Sequence, residues 1–127
     1  MNNFKKLFGE AYKISINQKL GHCATCGGVA SALLTKHDKI YTGICLDILC
    51  GIGFCAEHSA IAEMLKHGES EIKEIIAVAD DKKVLPPCGR CRELIFQINS
   101  RNKNTIVHLS ATKRRTIHFL LPEPYEG

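Results

Sequence analysis

Two short stretches carry residues able to do chemistry. "PPCGRCRE" (86–93) sets Cys88 and Cys91 three positions apart behind two prolines, and "FCAEH" (54–58) sets Cys55 two residues before Glu57. Thiols at i and i+3 at the start of a helix lie on one face and can grip one metal ion. Two thiolates do not complete a tetrahedral zinc site, and a catalytic zinc takes a third protein ligand and leaves one position open. Cys55 offers that third ligand. Glu57, a carboxylate beside the ligand set but outside it, is of a type that moves protons. Each fragment alone has an ordinary explanation, since C-x-x-C also builds structural zinc ribbons and redox pairs. A second C-x-x-C, Cys23 and Cys26 in "HCATCGG" (22–28), could join Cys88 and Cys91 in a closed, all-cysteine structural zinc site of a non-enzymatic module. That arrangement leaves Cys55 and Glu57 unexplained.

The elements that must position these residues follow from periodicity. Residues 3–18 carry Phe4, Leu7, Phe8, Ala11, Tyr12 and Ser15 at three-and-four spacing, which predicts an amphipathic helix. "GGVASALLT" (27–35) and "KIYTGICLDIL" (39–49) are apolar, and the polar "KHD" between them predicts a hairpin. "CAEHSAIAEMLKHG" reads as a helix with Ala60, Ile61, Met64 and Leu65 inward and Gly68 as its stop. "IKEIIAVAD" has the continuous apolar character of a buried parallel strand, "CRELIFQIN" gives a further helix and "TIVHLS" a further strand. The expected fold is α/β: a mixed sheet covered by helices, an antiparallel hairpin first and βαβ units after it, in one domain over residues 1–127. Both cysteine stretches then fall at helix starts.

Composition excludes several functions. At 127 residues the chain suits one core, and no apolar run approaches the ~20 residues that span a bilayer. The N-terminal "MNNFKKLFGEAYK" lacks the apolar stretch and cleavage site of a secretory signal, so a cytoplasmic protein is expected. Seven cysteines in a reducing compartment point to metal or catalysis rather than disulfides. A net charge of +4, no Trp, three Tyr and five Phe leave little with which to bind and stack nucleic acid, and "TKRRT" (112–116) reads as a solvated basic turn. His37, His67 and His108 read as turn, cap and core residues.

Joined, the two stretches spell Cys55-Ala56-Glu57…Pro87-Cys88-Gly89-Arg90-Cys91, the three-thiol version of the H-x-E…P-C-x-x-C pattern of zinc nucleobase deaminases. From "GGVASALL" to "LLPEPY", about residues 27–125, the chain resembles the cytidine deaminase superfamily. It is most similar to the small free-nucleoside branch that holds the cytidine deaminases and blasticidin-S deaminase. The resemblance implies a three-layer fold, one zinc per subunit and a homotetramer acting on a small nucleoside. It also implies that Tyr125, in the tail, reaches a neighbour's pocket. In such a site zinc activates a water against a cytosine-like ring, and Glu57 carries protons from the water to the ring and to the leaving amine. Three thiolates leave zinc with a formal charge of −1, so helix N-termini and Arg90 are expected to offset it, with His58 as a further donor. The related cytidine deaminases carry a G-x-N-x-E segment that grips the ribose. Aligned on Gly43, this chain has "GICLD", with Cys45 for the amide and Asp47 for the glutamate. A thiol cannot replace an amide's paired donor and acceptor, so the substrate's sugar, or the side group of a blasticidin-S-like substrate, is left open.

Overall fold

The computed structural model describes residues 3–127. Helix α1 (Phe4–Tyr12) is followed by β1 (Gln18–Lys19), β2 (Thr25–Thr35), β3 (Ile40–Asp47), α2 (Ala56–Lys66), β4 (Ile72–Ala79), α3 (Gly89–Ile98), β5 (Ile106–His108), β6 (Arg114–Thr116) and α4 (Ile117–Leu120). Strand β2 is the hub of the sheet. It pairs antiparallel with β3 on one edge, from Thr25 opposite Asp47 to Leu34 opposite Ile40, and with β4 and the short β1 on the other. β4 runs parallel to β5, and β6 closes that side antiparallel to β5.

Alternation along β2 and β4 divides the core in two, as the period of two in a strand requires. Ala30, Ala32, Leu34, Ile76 and Val78 pack with Leu7 and Ala11 of α1. Leu33, Ile72 and Ile75 turn to the other face, against Ala60, Ile61 and Met64 of α2, Ile95 of α3 and Ile117 of α4. The result is the expected layering, α1 on one face and the remaining helices on the other. A buried polar group ties the first layer down: Glu74 on β4 accepts from Asn3 Nδ2 at 2.7 Å, and its other oxygen meets His108 Nε2 at 2.8 Å.

Four details differ from the periodicity reading. Helix α1 stops at Tyr12; Ser15 instead turns its hydroxyl to the Val78 carbonyl, 3.0 Å away. Leu65 is 44% exposed, because the buried stripe of α2 runs through Ala60, Ile61 and Met64 and leaves Leu65 on its rim. The basic "RRT" is not a free turn but edge strand β6, where charged side chains suit an exposed sheet edge. The apolar stretch after it forms α4, capped by the Thr116 hydroxyl, which accepts from Phe119 N–H at 3.2 Å.

Candidate metal centre and its pocket

Cys55 and Cys88 are the N-cap residues of α2 and α3, both in extended backbone conformation, and Cys91 lies in the first turn of α3. Local sequence explains both starts. After β3 the chain loops through Leu49–Gly51 and returns to make two bonds with Leu46, Phe54 N–H to Leu46 O at 2.9 Å and Leu46 N–H to Phe54 O at 3.0 Å. Gly53 permits that return, since a Cβ there would sit 2.1 Å from the Leu46 carbonyl oxygen. Cys55 follows immediately. On the other side, Pro86 and Pro87 have no N–H to continue a helix or a ladder, so α3 can begin only after them.

The sulfurs of Cys55 and Cys88 are 3.6 Å apart and those of Cys88 and Cys91 3.4 Å, with all three within 4.8 Å of one another. Zinc–sulfur bonds of ~2.3 Å in tetrahedral geometry set the ligand sulfurs about 3.8 Å apart, so the three thiols fit zinc. Among the described residues this is the group of three potential ligands that comes together. Cys23 is exposed and neither it nor Cys26 joins Cys88 and Cys91. The all-cysteine structural site therefore does not form: Cys23 lies in the β1–β2 turn and Cys26 on β2, and neither reaches the helix starts.

The environment differs from thiol to thiol. Burial, with the neighbouring Glu57 charge, pushes Cys91 far up from the ordinary thiol value, and burial likewise raises Cys55. Cys88 lies below the ordinary value although burial opposes this, because the N–H groups of Cys91 and Arg90 at the open end of α3 and the thiols of Cys91 and Cys55 favour its thiolate. His58 Nδ1 stands 3.6 Å from Cys91 Sγ; burial, and then the charge of Arg90, hold its imidazole below the usual histidine range. The Arg90 side chain is exposed on the pocket wall, and its guanidinium gives no hydrogen bond to a sulfur among the described residues. The His58 imidazole thus lies beside the thiol set, with the Arg90 guanidinium acting at longer range.

Beside the thiols opens a cavity of about 460 Å³, walled by Val29, Phe54, Ala77 and Leu85 and reached by Cys55, Cys88, Glu57, Cys45, Asp47 and Arg90. Glu57 is only 5% exposed, and that burial raises its carboxyl above the usual range. Cys45 Sγ accepts from Val29 N–H at 3.4 Å and lies 3.5 Å from Asp47 Oδ2. The segment 22–28 is not part of the wall. Tyr125 is 69% exposed, with its backbone N–H donating to the Glu93 carboxylate at 2.8 Å, and it lies outside this chain's own cavity.

A mixed sheet between helical layers, with three thiols gathered at two helix N-termini beside a buried glutamate, defines an α/β protein built to hold zinc at a small pocket. The chain belongs to the family described as "Cytidine and deoxycytidylate deaminase zinc-binding region", whose sequence model it matches over residues 3–109. It is 32% identical over 71 residues to a cytidine deaminase of Halalkalibacterium halodurans, covering 55% of this chain and 54% of that protein. To a blasticidin-S deaminase of Bacillus cereus it is 33% identical over 76 residues, covering 53% and 54%. The matches span about half the length of these two curated relatives. The fold superposes on the crystal structure of cytidine deaminase from Mycobacterium tuberculosis with a TM-score of 0.82 at 21% identity, over 99% of both chains. No helix among the described residues is long and apolar enough to cross a membrane.

Proposed function

We propose that this chain is a hydrolytic deaminase that converts the cytosine ring of a free nucleoside, cytidine, deoxycytidine or a close analogue, to the uracil form with release of ammonia. The observation that carries the reading is the Glu57 carboxyl, buried at the cavity beside three thiols at zinc spacing. Zinc held by Cys55, Cys88 and Cys91 would supply a Lewis acid that makes water a nucleophile near neutral pH. Glu57 takes the proton that the attacking water loses and passes it to ring N3; it then takes the remaining proton from the new C4 hydroxyl and gives it to the amine, which leaves as ammonia as the C4 carbonyl forms. Its raised proton affinity suits a group that must both accept and return a proton. Val29, Phe54, Ala77 and Leu85 supply apolar walls for a flat ring and keep bulk water from it.

The sugar side supports a second reading, a blasticidin-S-type substrate. There the Cys45 sulfur is already engaged by Val29 N–H and faces Asp47, so no amide is on hand to read a ribose. Exposed Leu49, Ile52 and Phe54 on the segment between β3 and α2, with Phe119 and Tyr125, give apolar surface that suits assembly into a homotetramer in which Tyr125 meets a neighbouring cavity. A reducing cytoplasm is the compartment that would keep the thiol set free of disulfides.

The test is zinc content followed by ammonia release on a panel holding cytidine, deoxycytidine, sugar-modified cytidines and blasticidin S. About one zinc per chain and turnover of at least one cytosine compound are expected. Zinc with no turnover on any of them ends the deaminase reading, and retention of zinc after Cys55→Ala removes the site.

A further inference from the structure

Of the three thiols, Cys91 is buried and Cys55 half-buried, but Cys88 is exposed, so packing does little to fix it. Backbone bonding before it is also sparse. Leu85 N–H donates to Ala77 O at 3.0 Å, and the two prolines that follow have no N–H to give. What holds this stretch is Arg92. Its backbone N–H donates to Cys88 O at 3.0 Å, its Nε donates to Pro87 O at 2.9 Å, and the far end of the same guanidinium donates to Leu120 O at 3.3 Å. Leu120 ends α4, a short helix seated in the core by buried Ile117, whose N–H donates to Thr105 O. The next residue, Glu93, accepts from Tyr125 N–H and fastens the chain beyond α4 to the same helix.

We propose that Arg92 is a positioning residue for the metal centre: it bridges the carbonyl preceding Cys88 to the carbonyl closing α4, and so sets the Cys88 thiol against the other two. The proposal rests on the zinc reading of the site. A guanidinium suits the task because its nitrogens diverge in one rigid plane, whereas a lysine ammonium offers a single point on a flexible stem. Loss of a group that orients a metal ligand typically lowers metal affinity roughly 10–100-fold.

The experiment is competition for zinc between the protein and a chromogenic chelator, for the wild type, Arg92→Met, Arg92→Lys and the surface control Arg101→Met, with the melting temperature of each metal-free form alongside. Arg92→Met should bind zinc roughly 10–100-fold more weakly, Arg92→Lys should fall between it and wild type, and Arg101→Met should match wild type. If Arg92→Met does not fold, Arg92→Lys decides alone. Wild-type zinc affinity in both Arg92 variants overturns the proposal, including when their metal-free melting temperatures drop, which would assign Arg92 to the scaffold only. A wild-type chain that takes up no zinc overturns the metal reading itself, and the positioning role with it.

Discussion

Gly43 on β3 is buried where that strand meets the first turns of α2, and replacing it by alanine should disturb the site from behind. A Cβ added there would lie 2.3 Å from the Ala60 backbone nitrogen and 2.5 Å from the Ser59 Cβ and Oγ. Ordinary contact is ~3.5 Å, so one of the two elements must withdraw by roughly 1 Å. Rotating a side chain cannot relieve the clash, since the nearest atom is helix backbone. Overpacking of this kind typically costs ~1–3 kcal/mol, and each kcal/mol lowers the melting temperature of a domain this size by roughly 3–6 °C. The larger effect should be on turnover. α2 carries Cys55 at its cap and Glu57 in its first turn, while Cys88 and Cys91 belong to α3, so retreat of α2 separates the two halves of the site. A displacement of about 1 Å can cost on the order of 100-fold in rate. Differential scanning fluorimetry and ammonia release under saturating zinc measure both quantities. A Gly43→Ala protein with unchanged melting temperature and undiminished turnover would refute the claim that β3 sets the position of α2.

Glu57→Ala should keep the fold and the zinc but lose ~10²–10⁴-fold or more of the ammonia-release rate, the range for general acid–base help; zinc analysis beside the rate assay checks both halves. Cys45→Asn should sharpen preference for cytidine over its sugar-modified analogues by roughly 5–150-fold, the equivalent of ~1–3 kcal/mol for one restored hydrogen-bonding group, and an unchanged ratio of kcat/KM values would place the sugar elsewhere. For Glu74, burial pushes the carboxyl up, but the bonds from Asn3 and His108 outweigh it and leave the group below its ordinary value. A carboxyl depressed in the folded state stabilises at pH above its unfolded value of ~4.3 and loses that contribution as pH falls through the folded value. Thermal melts should therefore decline more steeply below pH ~4.3 for wild type than for Glu74→Gln, and parallel pH profiles would contradict the linkage.

The thiol cluster was legible in the sequence because ligand spacing is local: Cys88 and Cys91 declare themselves by their interval and Cys55 by sitting at a second helix start, with Glu57 two residues after it. The layering was legible for a similar reason, since Leu33 and Leu34 must face opposite sides of β2 whatever surrounds them. What escaped depends on contacts between distant residues. Nothing near Arg115 and Thr116 says that Ile106 and Val107 will pair with them, so β6 looked like a turn. Nothing in "CGRCRE" says which arginine faces the pocket wall and which folds back on Pro87, although Arg90 and Arg92 are two residues apart. His58 was a candidate from its place beside Glu57, but its approach to Cys91 is made only when α2 and α3 converge.

The position of β2 at the hub of the sheet also dictates an order of events during synthesis. Cys55 and its helix can be made early, yet they have no partner thiols until β4 has paired with β2 and carried the chain across to Cys88 and Cys91. The brace on Cys88 comes later still, because Leu120 lies 28 residues beyond Arg92. A nascent chain stalled before residue 120 would lack the Leu120 carbonyl that Arg92 grips, and its Cys88 would be held less firmly against the other two thiols.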